Sequence, residues 1–389
     1  MKATQTPPLV PASKLPDVGT TIFTVMSELA RTHGALNLSQ GFPDFDGPRY
    51  LLERVRHHMG NAQNQYAPMT GVAPLRAAIA HKVGALYGCP VDPEREVTVT
   101  AGATEALFCA IAAVVRPDDE VIVFDPAYDS YDPVVRLQGG RCVHIPLLAP
   151  TYSVDWDRVA DAITPRTRLV IVNTPHNPTG AVWSHQDLET LDRLLSGREI
   201  YVLGDEVYEH IVFDNRAHAS LCRLPSLFAR SFVVSSFGKT YHVTGWKIGY
   251  CVAPAALSAE FRRIHQFVTF AANTPVQLGL ADFLSAHPEH HLNLGAFYQR
   301  KRDRLCDLLA GSRFVIRPSA GTYFQLLDYA ALSDEPDVAL ARRLTCDAGI
   351  ATIPVSVFHA VDPGERVLRI CFAKDDTTLE RAAAILQAL

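Results

Sequence analysis

The segment from Ser231 to Tyr250 reads SFVVSSFGKTYHVTGWKIGY, and Lys239 within it governs the interpretation of the whole chain. Lys239 follows the apolar run Phe232–Val234, which is typical of a buried β-strand. A lysine that leaves the end of a buried strand, among small residues that permit close approach, is poorly explained as surface charge. The pattern predicts an amine that is kept for chemistry.

The composition points to a protein that handles small molecules. The chain has 389 residues, enough for two lobes, and a formal net charge of -5. Its lysines and arginines are dispersed, which argues against nucleic acid as the main partner. Met1–Pro8 lacks the apolar core of a secretory signal, and no apolar stretch approaches the roughly 18 residues of a membrane span. We therefore expect a cytoplasmic protein with no membrane contact.

The eight cysteines never occur as CxxC, and several stand within apolar runs. We expect them to be reduced core residues and not disulfide partners or metal ligands.

Short apolar runs alternate with helix-like stretches between about residues 48 and 280. This alternation predicts an α/β protein with a mostly parallel sheet that is covered on both faces. After Phe283 the pattern changes to a helix-rich segment followed by short strands, which indicates a smaller α+β domain. The expected division is an N-terminal arm with part of the small domain at 1–47, a large domain at 48–284 and a small C-terminal domain at 285–389.

Ligands of open α/β sheets bind beyond the carboxyl ends of the strands, so the residues after each apolar run are informative. After Val97–Thr100 comes AGATEAL, a turn that opens a helix. The free backbone N–H groups of Gly102, Ala103 and Thr104 suit a phosphate, although a plain tight turn remains an alternative. After Leu169–Val172 comes NTPHNPTG, in which the Asn177 amide can donate to a ring oxygen.

After Ile200–Gly204 comes DEVYEH, which places Asp205 and Tyr208 where both can face one ligand. The neighbouring Glu206, Glu209 and His210 leave a metal site as an alternative. We expect no metal, because the spacing matches no common zinc pattern.

The Lys239 segment completes this set. Together these segments meet the needs of pyridoxal 5'-phosphate. They offer a lysine that can form an imine, a carboxylate for a protonated pyridine nitrogen, a phenol, an amide and a phosphate cradle. The sequence therefore predicts this cofactor.

In this order the motifs resemble those of the class I pyridoxal-phosphate aminotransferases of fold type I. The resemblance is carried by LSQGFPDF at Leu38–Phe45, QYAPMTG at Gln65–Gly71, the NPTG turn, the lysine block and LRICFAK at Leu368–Lys374. It is strongest toward the methionine aminotransferases and the kynurenine and glutamine transaminases. It implies a three-layer αβα large domain, a smaller α+β domain and a homodimer with shared active sites.

The resemblance also implies residue roles. Lys239 would carry the cofactor and move the Cα proton, Asp205 would pair with the ring nitrogen, and Tyr208 and Asn177 would donate to the ring oxygen. The remaining cofactor contacts would be Gly102, Ala103, Thr104, Ser236 and Lys247 at the phosphate, Tyr128 on the ring face, and Tyr66 at the phosphate of the neighbouring subunit. The substrate contacts would be Arg369, Gly41 and Asn177 around the α-carboxylate, and Ile22, Phe23, Phe270 and Phe358, together with Tyr66 and Tyr128, around the side chain.

The expected activity is a ping-pong transamination from an L-amino acid to a 2-oxo acid, with methionine, aromatic amino acids, glutamine or kynurenine as donor. A cysteine-S-conjugate β-lyase is the alternative on the same scaffold. A regulatory protein would need an added DNA-binding segment, for which we see no room before Thr20. A nicotinamide dehydrogenase would need a GxGxxG after the first strand, and none is present there.

Overall fold

The computed structural model describes residues 9–389. The predicted lack of a secretory signal at Met1–Pro8 lies outside the described residues. Within them, none of the helices combines the length and the apolar character that a membrane crossing requires.

A seven-stranded sheet forms the centre of the fold, with strand order β2-β8-β7-β6-β5-β3-β4. Strands β3 to β7 pair in parallel wherever they are neighbours, whereas β8 is antiparallel to both β7 and β2. The mostly parallel sheet expected from the sequence is confirmed. The strands of the chain are, in order, β1 (Leu36–Asn37), β2 (Val97–Thr100), β3 (Glu120–Asp125), β4 (Arg141–Pro146), β5 (Thr167–Asn173), β6 (Tyr201–Asp205), β7 (Ser231–Ser236), β8 (Gly249–Val252), β9 (Phe324–Asp328), β10 (Ile350–Ala351), β11 (Ile353–Pro354) and β12 (Val367–Cys371).

Helices cover both faces of this sheet. The helices in the described residues are, in order, α1 (Ile22–His33), α2 (Arg49–Gly60), α3 (Ala73–Tyr87), α4 (Ala103–Val114), α5 (Tyr131–Leu137), α6 (Trp156–Ala162), α7 (His185–Leu195), α8 (Pro225–Phe228), α9 (Phe237–Thr240), α10 (Ala255–Val268), α11 (Thr274–Ala286), α12 (Glu289–Leu308), α13 (Asp337–Arg343) and α14 (Asp376–Gln387). Short 3-10 turns lie at Leu221–Arg223, Thr244–Trp246 and Ser356–Phe358, and a π-helical turn at Leu344–Ala348 follows α13.

The alternation of strand residues between the two faces explains the layers. Along β5, Val170 and Val172 belong to one apolar core, with residues of α2, α3, α7 and α11, whereas Leu169 and Ile171 belong to another, with residues of α4, α5 and α10. A strand with both faces buried must be apolar throughout, which is why these runs showed no polar alternation in the sequence. Helix, sheet and helix therefore form the three layers of the expected fold class.

A third apolar core is formed mainly by segments from the beginning and the end of the chain. Met26 and Leu38 share it with residues of α12, α13, α14 and the antiparallel sheet β11-β12-β9. Strand β1 pairs in parallel with β10, so an early segment joins a late one. The boundaries at residues 47 and 284 remain predictions.

The expectation that the cysteines are core residues is correct for five of them and wrong for three. Cys346 is exposed, and Cys142 and Cys306 are half-buried.

His144 of β4 links three elements at the edge of the sheet. Its Nδ1 atom lies 2.7 Å from Oδ1 of Asp125, and its Nε2 atom lies 3.8 Å from Oδ1 of Asp132 on α5. Burial alone would lower the pKa of His144, but the ion-pair contacts with the two aspartates outweigh it and raise this pKa to about 9. The folded chain therefore stabilises the protonated form of the His144 side chain relative to its neutral form.

Replacing His144 with Gln should destabilise the protein in a pH-dependent way. Because the folded pKa lies above the unfolded value, the stabilisation is full below about pH 6.5 and is lost as the pH rises through about 9. We expect the variant to lose about 1–2 kcal/mol of unfolding free energy at pH 6, since the side chain is partly exposed, and much less at pH 10. Denaturant unfolding at intervals between these values measures the difference. A loss that stays constant with pH would contradict the assignment, and His185→Gln, at an exposed histidine, is the matched control.

Candidate active site

The carboxyl ends of the parallel strands border a cavity of about 160 Å³. Many of the residues singled out in the sequence line it, namely Gly102, Ala103, Thr104, Tyr128, Asn177, Asp205, Tyr208, Ser236, Lys239 and Lys247. They come from segments between residues 102 and 247, and the sheet brings them together because strand ends of a parallel sheet share one edge. Asn173, Val207 and Thr244 also line the cavity and were missed in the sequence.

Lys239 lies in the short helix α9, directly after β7. Its Nζ atom donates to the backbone carbonyl of Gly41 at 3.1 Å. Burial lowers the pKa of Lys239 to about 8, because the charged ammonium is poorly solvated here. About a tenth of the amine is then neutral at pH 7, far more than for a lysine in water, and a nucleophile or a base requires this neutral form.

Asp205 ends β6 and is almost completely buried. Its Oδ2 atom accepts a hydrogen bond from the Tyr131 hydroxyl at 2.7 Å, and Oδ1 accepts one from the Val207 N–H at 3.4 Å. Burial raises the pKa of Asp205 to about 6, although these donors act in the opposite direction. A cationic ligand group beside this carboxylate would hold it ionised.

Tyr131 was missed by sequence reasoning. It lies three residues after Tyr128 in the segment that follows β3, and this position was a signal that could have identified it.

An anion cradle forms where α4 begins. Gly102 precedes this 12-residue helix with φ 81°, a conformation that favours glycine. A Cβ atom at Gly102 would lie only 3.0 Å from Cε of Lys247, so glycine also permits the lysine to approach. The Nζ atom of Lys247 lies 3.5 Å from Oγ1 of Thr104, and Ser236 ends the adjacent β7 strand. Free N–H groups, a hydroxyl and an ammonium together suit a phosphate.

Arg369 of β12 is a completely buried cation beside this cavity. Its Nη1 atom donates to Oδ1 of Asn177 at 2.7 Å, and its Nη2 atom donates to the Ser39 carbonyl at 2.8 Å. The guanidinium lies 3.9 Å from the ring centroid of Phe324, whereas the buried Nε atom has no hydrogen-bond partner among the described residues. Burial lowers the pKa of Arg369 to about 10. A buried guanidinium with an unused donor is suited to a carboxylate.

Part of the predicted side-chain pocket lies against Arg369. The guanidinium carbon is 5.1 Å from the ring centroid of Phe23 and 6.0 Å from that of Phe358, and these two rings stack at 5.6 Å. Ile22 begins the same helix as Phe23 and packs against the same apolar core.

Tyr66 and Phe270, which were predicted for the same pocket, contact each other. Tyr66 is 85% exposed and Phe270 is 46% exposed, and their rings meet edge to face at 5.5 Å. Neither lines the cavity within this chain.

The acidic residues that had left a metal site as an alternative each bind other side chains. Glu209 accepts hydrogen bonds from Lys82 at 2.7 Å and from Tyr250 at 2.8 Å. Glu206 pairs with His218 at 2.8 Å. Since these partners already occupy both carboxylates, they do not form one ligand set with Asp205.

Comparisons with known proteins agree with this geometry. The family model of the class I and II aminotransferases matches residues 34–386. Methionine aminotransferase of Escherichia coli is 56% identical over 382 residues, which are 98% of this chain and 99% of the relative. Human kynurenine–oxoglutarate transaminase 1 is 32% identical, with 91% of this chain and 92% of the relative covered.

Solved structures are similar over the same length. A crystal structure of an Escherichia coli methionine aminotransferase, 56% identical, superposes with a TM-score of 0.96 and covers 98% of this chain and 100% of its own. An N-succinyldiaminopimelate aminotransferase from Mycobacterium tuberculosis, 38% identical, superposes with a TM-score of 0.94 and covers 97% and 100%. These relatives favour neither the β-lyase nor the dehydrogenase alternative. The chain belongs to the class I and II aminotransferase family, and it is a transaminase of fold type I.

Proposed function

We propose that the protein is a pyridoxal-phosphate-dependent transaminase that moves the amino group of methionine, an aromatic amino acid, glutamine or kynurenine to a 2-oxo acid. The observation that supports this best is the joint placement of the Lys239 amine, the buried Asp205 carboxylate and the anion cradle around one cavity. No other common cofactor calls for all three together.

The residues around the cavity fit pyridoxal phosphate. Its phosphate would lie in the cradle of Gly102, Ala103, Thr104, Ser236 and Lys247, and its ring nitrogen would face Asp205. Tyr208 and Asn177 would donate to the ring oxygen, Tyr128 would cover the ring face, and Lys239 would hold the cofactor covalently. When bound, the cofactor supplies an electron sink for the bond that breaks at Cα.

The chain itself supplies proton transfer and orientation. Lys239, displaced from the cofactor by the incoming amino group, would remove the Cα proton and return it on the cofactor side. Asp205, ionised beside the ring nitrogen, would keep that nitrogen protonated. Arg369 and Asn177 would bind the α-carboxylate, so that the Cα–H bond faces the lysine.

The class of amino-acid substrate is inferred from the residues around Arg369. Phe23 and Phe358 stack beside the guanidinium, and Ile22 extends this apolar wall. An apolar lining favours methionine and aromatic amino acids, with glutamine and kynurenine also accepted, over aspartate. The similarity to a methionine aminotransferase supports methionine as the preferred donor.

Replacing Lys239 with Ala should remove both the covalent cofactor link and turnover. We expect kcat to fall at least about a thousandfold, because the variant lacks both the covalent carrier and the proton-transfer base. Borohydride reduction of the wild-type holoenzyme, followed by peptide mass spectrometry, should place the cofactor adduct on Lys239. An adduct on another lysine would overturn the assignment.

A panel of amino donors at fixed 2-oxo acid tests the substrate class. Methionine and phenylalanine should give kcat/KM values at least about tenfold above that of aspartate, because the apolar wall offers no partner for a second carboxylate. Stopped-flow measurement of the first half reaction separates the effect of the amino donor from that of the 2-oxo acid. Equal values for aspartate and methionine would contradict the pocket assignment.

We also infer a cytoplasmic homodimer in which Tyr66 reaches the cofactor phosphate of the partner subunit. The exposed apolar residues support an interface, since Tyr66 contacts Phe270, and Phe267 at the end of α10 is 87% exposed. Aromatic side chains grouped on a surface in this way are typical of protein contacts.

Replacing Phe267 with Glu should shift the protein toward monomer, because a charge would be buried at the interface. Sedimentation velocity at micromolar concentration measures the change, and cofactor affinity should fall with it. Val361→Glu, at another exposed apolar residue, is the matched control. A dimer that is undisturbed in the Phe267 variant would exclude this surface.

A further inference from the structure

Tyr323, the residue before β9, is a completely buried phenol that sequence reasoning did not single out. Its hydroxyl donates to the backbone carbonyl of Gly41 at 2.7 Å. Burial holds the pKa of Tyr323 well above its usual range, so the hydroxyl stays a neutral donor at all relevant pH values.

The same carbonyl is the acceptor of the Lys239 amine, at 3.1 Å. The Nζ atom lies 5.6 Å from the ring centroid of Tyr323 and 5.7 Å from that of Tyr208. These two rings meet edge to face at 5.1 Å. The amine therefore lies beside two aromatic rings and donates to one backbone oxygen, which it shares with Tyr323.

The packing around Gly41 fixes the position of its carbonyl. A Cβ atom at Gly41 would lie 2.6 Å from Cζ of Phe324 and 3.4 Å from Cε2 of Tyr323, so the backbone is pressed against both rings. The next residue is fixed as well, because Lys374 donates to the Phe42 carbonyl at 2.9 Å. This tight packing disfavours a rotation of the carbonyl away from Lys239.

Two donors on one carbonyl weaken each other. If the phenol were absent, the Gly41 oxygen would accept a stronger hydrogen bond from Lys239, and a stronger bond to the ammonium favours the charged form. The charges and ionisable groups that act on the amine are Asp205, Lys247, Arg369 and the thiol of Cys371. A Tyr-to-Phe change leaves all four in place, since the phenol is neutral.

We propose that Tyr323 is a positioning residue for Lys239: it fixes the Gly41 carbonyl against the lysine amine and keeps this carbonyl a weak acceptor. The amine is then available as a neutral base when the substrate displaces it. This inference rests on the role of Lys239 in the function proposed above.

The test uses Tyr323→Phe in the holoenzyme after an excess of amino donor has converted the cofactor to its pyridoxamine form, which leaves the lysine amine free. Carbamylation of Lys239 by cyanate is followed from pH 6 to 10 by peptide mass spectrometry. We expect the second-order rate constant, expressed per concentration of isocyanic acid as the reactive form of cyanate, to fall about threefold to tenfold at pH 7 while its limiting value at high pH is unchanged, as a rise of about 0.5 to 1 in the pKa of the amine would give.

Tyr298→Phe is the matched control. Tyr298 is buried in the same apolar core, and its hydroxyl lies 3.0 Å from Nδ1 of His242 and does not contact Gly41. Its carbamylation profile should overlay that of the wild type. A wild-type profile in Tyr323→Phe, or the same shift in both variants, would overturn the proposal.

The outcomes separate the two claims. If borohydride reduction places the cofactor away from Lys239, the proposed function fails. If the adduct is on Lys239 and the profile of Tyr323→Phe does not shift, only the role of Tyr323 fails.

Discussion

Desolvation of the Lys239 amine is the constraint on which the rest of the site depends. A lysine in water is charged at neutral pH and cannot act as a base, whereas burial lowers the pKa of Lys239 to about 8. The hydrogen-bond acceptor of the amine must then be neutral, because a carboxylate in contact with it would restore the charge. The Gly41 carbonyl meets this requirement.

Two buried carboxylates near the site accept hydrogen bonds from other donors. Asp205 accepts from Tyr131 and from the Val207 N–H, and Glu209 accepts from Lys82 and Tyr250. These two carboxylates thus have their own partners, which reduces the cost of desolvating them. Asp205 ends β6, whereas Glu209 lies in the turn that follows, so the two side chains have different surroundings.

The sequence predicted the features that depend on local pattern. Apolar runs and turn residues identified the strands, and the rule on strand ends located Asp205, Asn177 and Lys239. It could not identify Tyr131 or Tyr323 as site residues, since their hydroxyls reach acceptors 74 and 282 positions away along the chain. The grouping of Phe270 with Phe23 and Phe358 stays a prediction, because an aromatic residue carries no sign in the sequence of the surface on which it lies.

The substrate side of the site is built from opposite ends of the chain. Ser39 and Gly41 precede the first long strand of the large sheet, whereas Tyr323 and Arg369 lie near the carboxyl end. Pairing of β1 with β10, together with the hydrogen bond from the Cys371 N–H to the Leu38 carbonyl at 2.9 Å, brings these segments into contact. Arg369 can be buried as a cation only where the Ser39 carbonyl and Asn177 meet it. The proposed carboxylate site and the acceptor for Lys239 therefore depend on the same contacts between the two ends of the chain.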